Sequence, residues 1–329
     1  MDGVRVGESM IRSYGISMIG TQHIREGTVC QDAHRIVVID DETVVAAVAD
    51  GVGSEKYSQI ASSMAVEVVT DYLEKNFNHS LDVESVSKLL CQSFWKALLS
   101  IEEKAIENEH DIHEYDTTLS VAILEGDRLF YGHSGDGGIL AFTMDGKICK
   151  VTEQQRDGRY VIPLAFGEKE WDFGLFDDHV SCVMLATDGM YELFVPELLK
   201  NEENSVYTNL ARFFMDPDNL KMDVDNDEHI TEKVKRLIEY RIREKENMDL
   251  DYEKDYEKAD NGEQNEIYDV AEDFTVSDDI TIVVVVNQNN SISYQPDSYY
   301  AVPDWKGLRE KWEKESKRIL YPELFADEE

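Results

Sequence analysis

The sequence predicts an α+β fold, a four-layer α/β/β/α sandwich with two largely antiparallel central β-sheets. Three observations carry this expectation. Short runs rich in β-branched residues open the chain at 14–20, 34–39 and 43–50. Two long amphipathic segments follow back to back, at 57–77 and 84–109. Strand-like runs then return at 118–125, 128–134, 138–142, 148–152, 179–187 and 280–286. This order lacks the even strand–helix alternation of a parallel, doubly wound sheet.

Each element has its own justification. In 57–77, Ile60, Met64, Val68, Tyr72 and Leu73 recur near a 3.6-residue period and mark one helix face. In 84–109, Leu89, Leu90, Phe94, Ala97, Leu98 and Ile101 do the same, so the two helices are expected as an antiparallel pair. Glu125-Gly126-Asp127 reads as a hairpin turn between 118–125 and 128–134. Met144-Asp145-Gly146-Lys147 reads as the turn into 148–152. Residues 192–215 read as partly helical. Residues 216–273 hold 21 Asp+Glu and 9 Lys+Arg, an acidic insertion in an otherwise continuous domain. Within it, Ile230, Val234, Leu237, Ile238 and Ile242 keep helical spacing. Glu246–Glu266 has almost no apolar residues and reads as a loop. The resulting division is one domain over 10–287, with a C-terminal tail at 288–329 that carries a charged helix near 304–318.

The 329 residues carry 32 Lys+Arg against 69 Asp+Glu, a formal net charge of −37. This balance argues against nucleic acid and anionic membrane surfaces as partners. It also disfavours a phosphate substrate, unless bound divalent ions invert the local field. The four cysteines form no CxxC pair, so a reduced, cytoplasmic protein is expected. No signal peptide and no apolar run near 18 residues is visible, so no membrane span is expected.

The chemistry-bearing residues are aspartates at strand ends. Five segments hold them: Cys30-Gln31-Asp32, Ala49-Asp50-Gly51, Gly135-Asp136-Gly137, Thr187-Asp188-Gly189 and Ser277-Asp278-Asp279. A strand is a rigid support that aims a terminal carboxylate. A following glycine permits a tight turn and close approach of backbone to an ion. Carboxylates without clustered His or Cys suit Mg²⁺ or Mn²⁺. Each Asp-Gly taken alone is a common turn, and spacing alone does not bring the five together.

Taken in order, CQDAH, ADGVGS, DTTLS, GHSGDGG, ATDGMYE and SDDITIVVV resemble the PPM, or PP2C-type, family of protein serine/threonine phosphatases, in a bacterial-type form. The resemblance implies two stacked sheets flanked by helix pairs and a Mn²⁺ or Mg²⁺ centre of two core ions with a third, weaker one. It implies that Asp50 bridges the core ions with the Gly51 carbonyl beside it. Asp32 orients water, Asp188 and Asp278 hold the second ion, and Asp136 and Glu192 match the third site. Thr117 and Thr118 support the cleft. The implied reaction is hydrolysis of phosphoserine and phosphothreonine on a protein substrate by metal-activated water, opposing a cognate serine/threonine kinase.

Three departures from the family pattern stand out. The usual phosphate-binding Arg, five residues before the first Asp, is Gly27, which leaves Arg25 as the catalytic phosphate-binding candidate with His23 near it. The usual Asp-Asn pair is Asp278-Asp279. The usual Gly-Thr-Thr is Asp116-Thr117-Thr118. The alternative is a non-catalytic signalling or binding module that retains the fold and presents its acidic insertion and tail to a partner.

Overall fold

The computed structural model describes residues 11–222, 226–242 and 275–320. The Glu246–Glu266 loop expectation lies outside the described residues. The strands are β1 (Ile11–Met18), β2 (Ala33–Asp40), β3 (Thr43–Ala49), β4 (Leu119–Glu125), β5 (Arg128–Ser134), β6 (Gly138–Thr143), β7 (Ile148–Lys150), β8 (Arg156–Asp157), β9 (Tyr160–Val161), β10 (Asp172–Leu175), β11 (Val180–Ala186) and β12 (Ile280–Asn287). The helices that matter here are α1 (Thr21–Glu26), α2 (Ser58–Asn76), α3 (Val83–Glu107), α4 (Asp188–Phe194), α5 (Thr208–Met215), α6 (Pro217–Leu220), α7 (Asp227–Leu237) and α8 (Trp305–Leu320).

Two five-stranded sheets form the centre, in the orders β1-β12-β11-β6-β7 and β10-β5-β4-β3-β2. Every ladder in them is antiparallel. The alternation of side chains along β3 shows why the sheets stack. Val44, Ala46 and Val48 face the core between the sheets, beside Ile139, Val183 and Val285. Val45, Ala47 and Ala49 face the other way, against α2 and α3. A fully buried Val contributes roughly 1.5–3 kcal/mol, so these unbroken apolar strands fix the sandwich firmly. On the outer face of the sheet that holds β12, Ile282, Val284 and Val286 pack against α4, α5 and α7. The result is the four-layer α/β/β/α order that the sequence predicts.

The helix expected inside the acidic stretch forms as α7, capped at its start by the Asn226 side chain, which accepts from His229 N at 2.8 Å. A wide π-turn over Ile238–Ile242 extends it. Ile230, Val234, Leu237, Ile238 and Ile242 are all buried, and the Arg12 guanidinium meets Asp227 at 2.7 Å. The described part of this stretch is therefore a piece of the outer helical layer. The segment after β12 also packs against the domain. Tyr300 is buried, its hydroxyl donates to the Gly146 carbonyl, and Trp305 stacks edge-on against Tyr207. Sequence periodicity did not reveal α1, β8, β9 or β10, which are too short to show a period. Among the described residues no helix is long and apolar enough to cross a membrane.

Strand register gathers the chemistry. Ala33 pairs with Ala49 in one sheet, and Ala186 pairs with both Gly138 and Ile282 in the other. Asp32, Asp50, Asp188 and Asp278 therefore leave their strands at one end of the sandwich. Asp136 sits in the link that carries the chain from β5 to β6, across from one sheet to the other.

Candidate metal centre

Asp50, Asp136 and Asp188 form the tight centre of this end. Each offers a carboxylate oxygen, and those oxygens lie within 4.8 Å of one another. Asp50 is held by its backbone. Its N–H donates to Thr118 Oγ1 at 2.9 Å, and its carbonyl accepts from Thr117 Oγ1 and Thr118 N, each at 2.8 Å. The threonine pair therefore braces the turn that presents Asp50 and Gly51. Gly135 adopts φ 122, a left-handed value suited to glycine, and an added Cβ there would strike Thr118. This turn swings Asp136 inward, where it is buried.

Asp32 reaches the same end from the first residue before β2. It is 8% exposed, and its Oδ2 accepts from Thr187 Oγ1 at 2.7 Å. Its Oδ1 is buried without a partner. A buried carboxylate oxygen with no donor is costly, and it fits a site built for a cation. Asp278 is exposed, with Oδ1 accepting from Asp279 N at 2.8 Å. Asp188, Glu192 and Asp278 border a cavity of ≈ 570 Å³ whose wall also includes Leu193 and Val276.

The electrostatics point the same way. Burial pushes Asp32 up to about 7, with the Thr187 hydrogen bond opposing that rise. Burial, then the neighbouring carboxylates of Asp136 and Asp278, pushes Asp188 up to about 8. Asp50 is held well above the usual carboxylate range by burial and by Asp32, Asp188, Asp278 and Asp136 around it. Burial also raises Asp136. So many acids crowded together are unfavourable unless protons or cations sit among them. Hard divalent ions prefer such all-oxygen donor sets, and the residues present fit them. Cysteine chemistry is not supported, because burial and the nearby Asp279 and Asp32 push the Cys30 thiol up to about 12.

One cation in the site was not foreseen. Arg156, at the start of β8, places Nε 2.9 Å from Asp136 Oδ2. Its Nη2 lies 2.7 Å from Glu192 Oε1 and 3.4 Å from Asp188 Oδ2. Arg25, the expected phosphate-binding residue, lies on the exposed side of α1. The Arg156 guanidinium touches both Asp136 and Asp188, Asp278 Oδ1 accepts from the next residue's amide, and Asp188 and Asp278 line the same cavity.

The family model described as Protein phosphatase 2C matches residues 19–230. The chain belongs to the protein phosphatase 2C family. As a PP2C member it is a metal-dependent protein serine/threonine phosphatase. A variant of a bacterial serine phosphatase shares the PP2C fold with it, at a TM-score of 0.50 and 15% identity, over 85% of this chain and 100% of that chain. The serine/threonine phosphatase of S. agalactiae is similar at a TM-score of 0.49 and 14% identity, over 84% and 99% of the two chains. The serine/threonine phosphatase Stp1 from Staphylococcus aureus is similar at 0.48 and 15%, over 87% and 99%. At these identities the likeness is one of fold. No curated protein sequence matches the chain.

Proposed function

We propose that this PP2C chain removes phosphate from phosphoserine and phosphothreonine in proteins at the strand-end carboxylate centre, using Mn²⁺ or Mg²⁺. The observation that carries the assignment to this site is the convergence of Asp50, Asp136 and Asp188 within 4.8 Å, next to an unpartnered Asp32 oxygen. Asp50, Asp136 and Asp188 would hold the ions, with the Gly51 carbonyl, Asp278 and Glu192 as further ligands for two core ions and a third. When bound, such ions generate a water nucleophile at neutral pH and offset the charge on the phosphoryl group.

The chain's own residues do the rest. Asp32, which accepts from Thr187, would accept a hydrogen bond from water and so orient it. The five strand ends hold the carboxylates with little freedom, so no reorganisation is needed when substrate arrives. The acidic and apolar wall around Glu192, Leu193 and Val276 suits a peptide flanking the phosphoresidue. Arg156, already at the carboxylates, and Arg25 on α1 are the candidates to meet phosphate oxygens. The reaction that supplies the substrate is phosphoryl transfer by a serine/threonine kinase acting on the same proteins.

The test is release of phosphate from a phosphothreonine peptide, with Mn²⁺ and with chelator, by the wild type and by Asp50→Asn. Turnover that needs Mn²⁺ and drops at least a hundredfold in the variant is expected. Undiminished turnover in chelator would overturn the assignment.

A further inference from the structure

Asp279 stands where the family pattern has Asn, and its surroundings explain why a carboxylate is needed. It is 3% exposed. Its Oδ1 accepts from Gly20 N at 2.6 Å, and its Oδ2 accepts from Gln31 N at 2.6 Å. Two backbone donors thus face the two oxygens of one side chain. An amide offers a single acceptor, and its NH₂ would face one of the donors. A buried carboxylate also needs a countercharge. His23 supplies it when protonated, with Nδ1 2.9 Å from Asp279 Oδ1. The contact is one of charge more than of direction, since Nδ1 makes no well-aligned hydrogen bond. Both partners are buried, and they lie at opposite ends of the chain.

Asp279, with His23 beside it, holds the gap between the two sheets through Gln31. On one side, Asp279 immediately precedes β12 and follows Asp278. On the other, the Gln31 peptide passes the connection on. Its N–H binds Asp279, while its carbonyl accepts from Gly51 N at 3.1 Å and from Ser62 Oγ at 2.5 Å. The next residue is Asp32, and Gly51 follows Asp50. Gln22 N also donates to Ser277 O at 2.9 Å. Gly20 lies so close to the Ser277 and Asp278 backbone that any Cβ there would collide.

We infer that His23 and Asp279 are a positioning pair that sets the spacing across the cleft, locking the segment bearing Asp32 and the Asp50-Gly51 turn to the strand bearing Asp278. The inference builds on the metal-centre reading above. Neither residue is among the ligands proposed above for the ions. They act through Gln31, whose peptide is shared between the two halves of the site. His23 and Asp279 are therefore coupled: His23 acts only through Asp279.

The experiment uses full-length protein as wild type, Asp279→Asn, His23→Gln and the double variant. Mn²⁺ binding is read by calorimetry, and amide hydrogen exchange is read over residues 20–32. Asp279→Asn is expected to weaken Mn²⁺ binding about tenfold or more and to speed exchange in that segment. His23→Gln should weaken binding severalfold in the wild type and by less than twofold in the Asp279→Asn background. With Mn²⁺ saturating, kcat on a phosphopeptide should fall while KM stays within about twofold. If Asp279→Asn does not fold, His23→Gln carries the same test alone. Wild-type exchange protection and Mn²⁺ affinity in both single variants would overturn the pair. If the wild type binds no Mn²⁺, the metal reading fails, and exchange over 20–32 alone decides the pair.

Discussion

Replacing Asp50 by Asn should make the ion-free protein more stable while destroying its response to metal. The reasoning starts from distance. Carboxylate oxygens of Asp50, Asp136 and Asp188 lie within 4.8 Å, and two like charges that close repel by ~3 kcal/mol at an effective dielectric of about 20. The folded protein evades part of that cost by keeping protons on these groups, which is why Asp50 and Asp188 are held above their usual range. The net relief from an uncharged amide at position 50 is then about 1–3 kcal/mol. For a domain of this size that corresponds to a rise in Tm of about 2–6 °C. The assay is thermal unfolding at pH 7.5, in chelator and in millimolar Mn²⁺. In chelator Asp50→Asn should unfold at the higher temperature. In Mn²⁺ the order should invert, because ions that bind only the folded state stabilise the wild type alone. A variant that is less stable in chelator, or a wild type indifferent to Mn²⁺, would refute the reasoning.

Arg156→Ala removes the guanidinium that touches Asp136, Asp188 and Glu192. Its side chain is partly solvated, so the loss in chelator should be only about 1 kcal/mol, and calorimetry should show tighter Mn²⁺ binding because a competing cation has gone. Thr187→Val deletes the donor to Asp32 Oδ2 and the acceptor for Thr281 N, which should cost about 1–3 kcal/mol in denaturant unfolding and lower kcat more than KM. In chelator the protein should lose stability as pH rises from about 5 to 8. Asp32 and Asp188, pushed up to about 7 and about 8, keep protons in the fold that the unfolded chain has already released. Saturating Mg²⁺ should flatten that slope, as read from urea midpoints across the range.

The sequence made the strand-end aspartates legible for a physical reason. An unbroken apolar run such as VVAAVAD reads as a buried strand, and a carboxylate that follows it falls at the end of that strand. The helix over Asp227–Leu237 was legible for the same reason, since its apolar stripe survives in an acidic setting. Arg156 was not legible. It sits in a two-residue strand with no period, and its partners lie 20, 32 and 36 residues further along or back in the chain. The Asp279 contacts span still more, 248 and 259 residues.

Position 279 shows where motif reading stops and geometry takes over. Seen as a letter, Asp for Asn adds one charge beside Asp278, a proposed metal ligand. The structure sets that charge against two backbone donors and His23. His23 lies in α1, and Gly27 is the residue that ends that helix. A site that spans two sheets must fix the distance between them. In this chain a buried charge pair does so, and Asp32, suspended between the pair and Thr187, is where an error in that distance would be felt first.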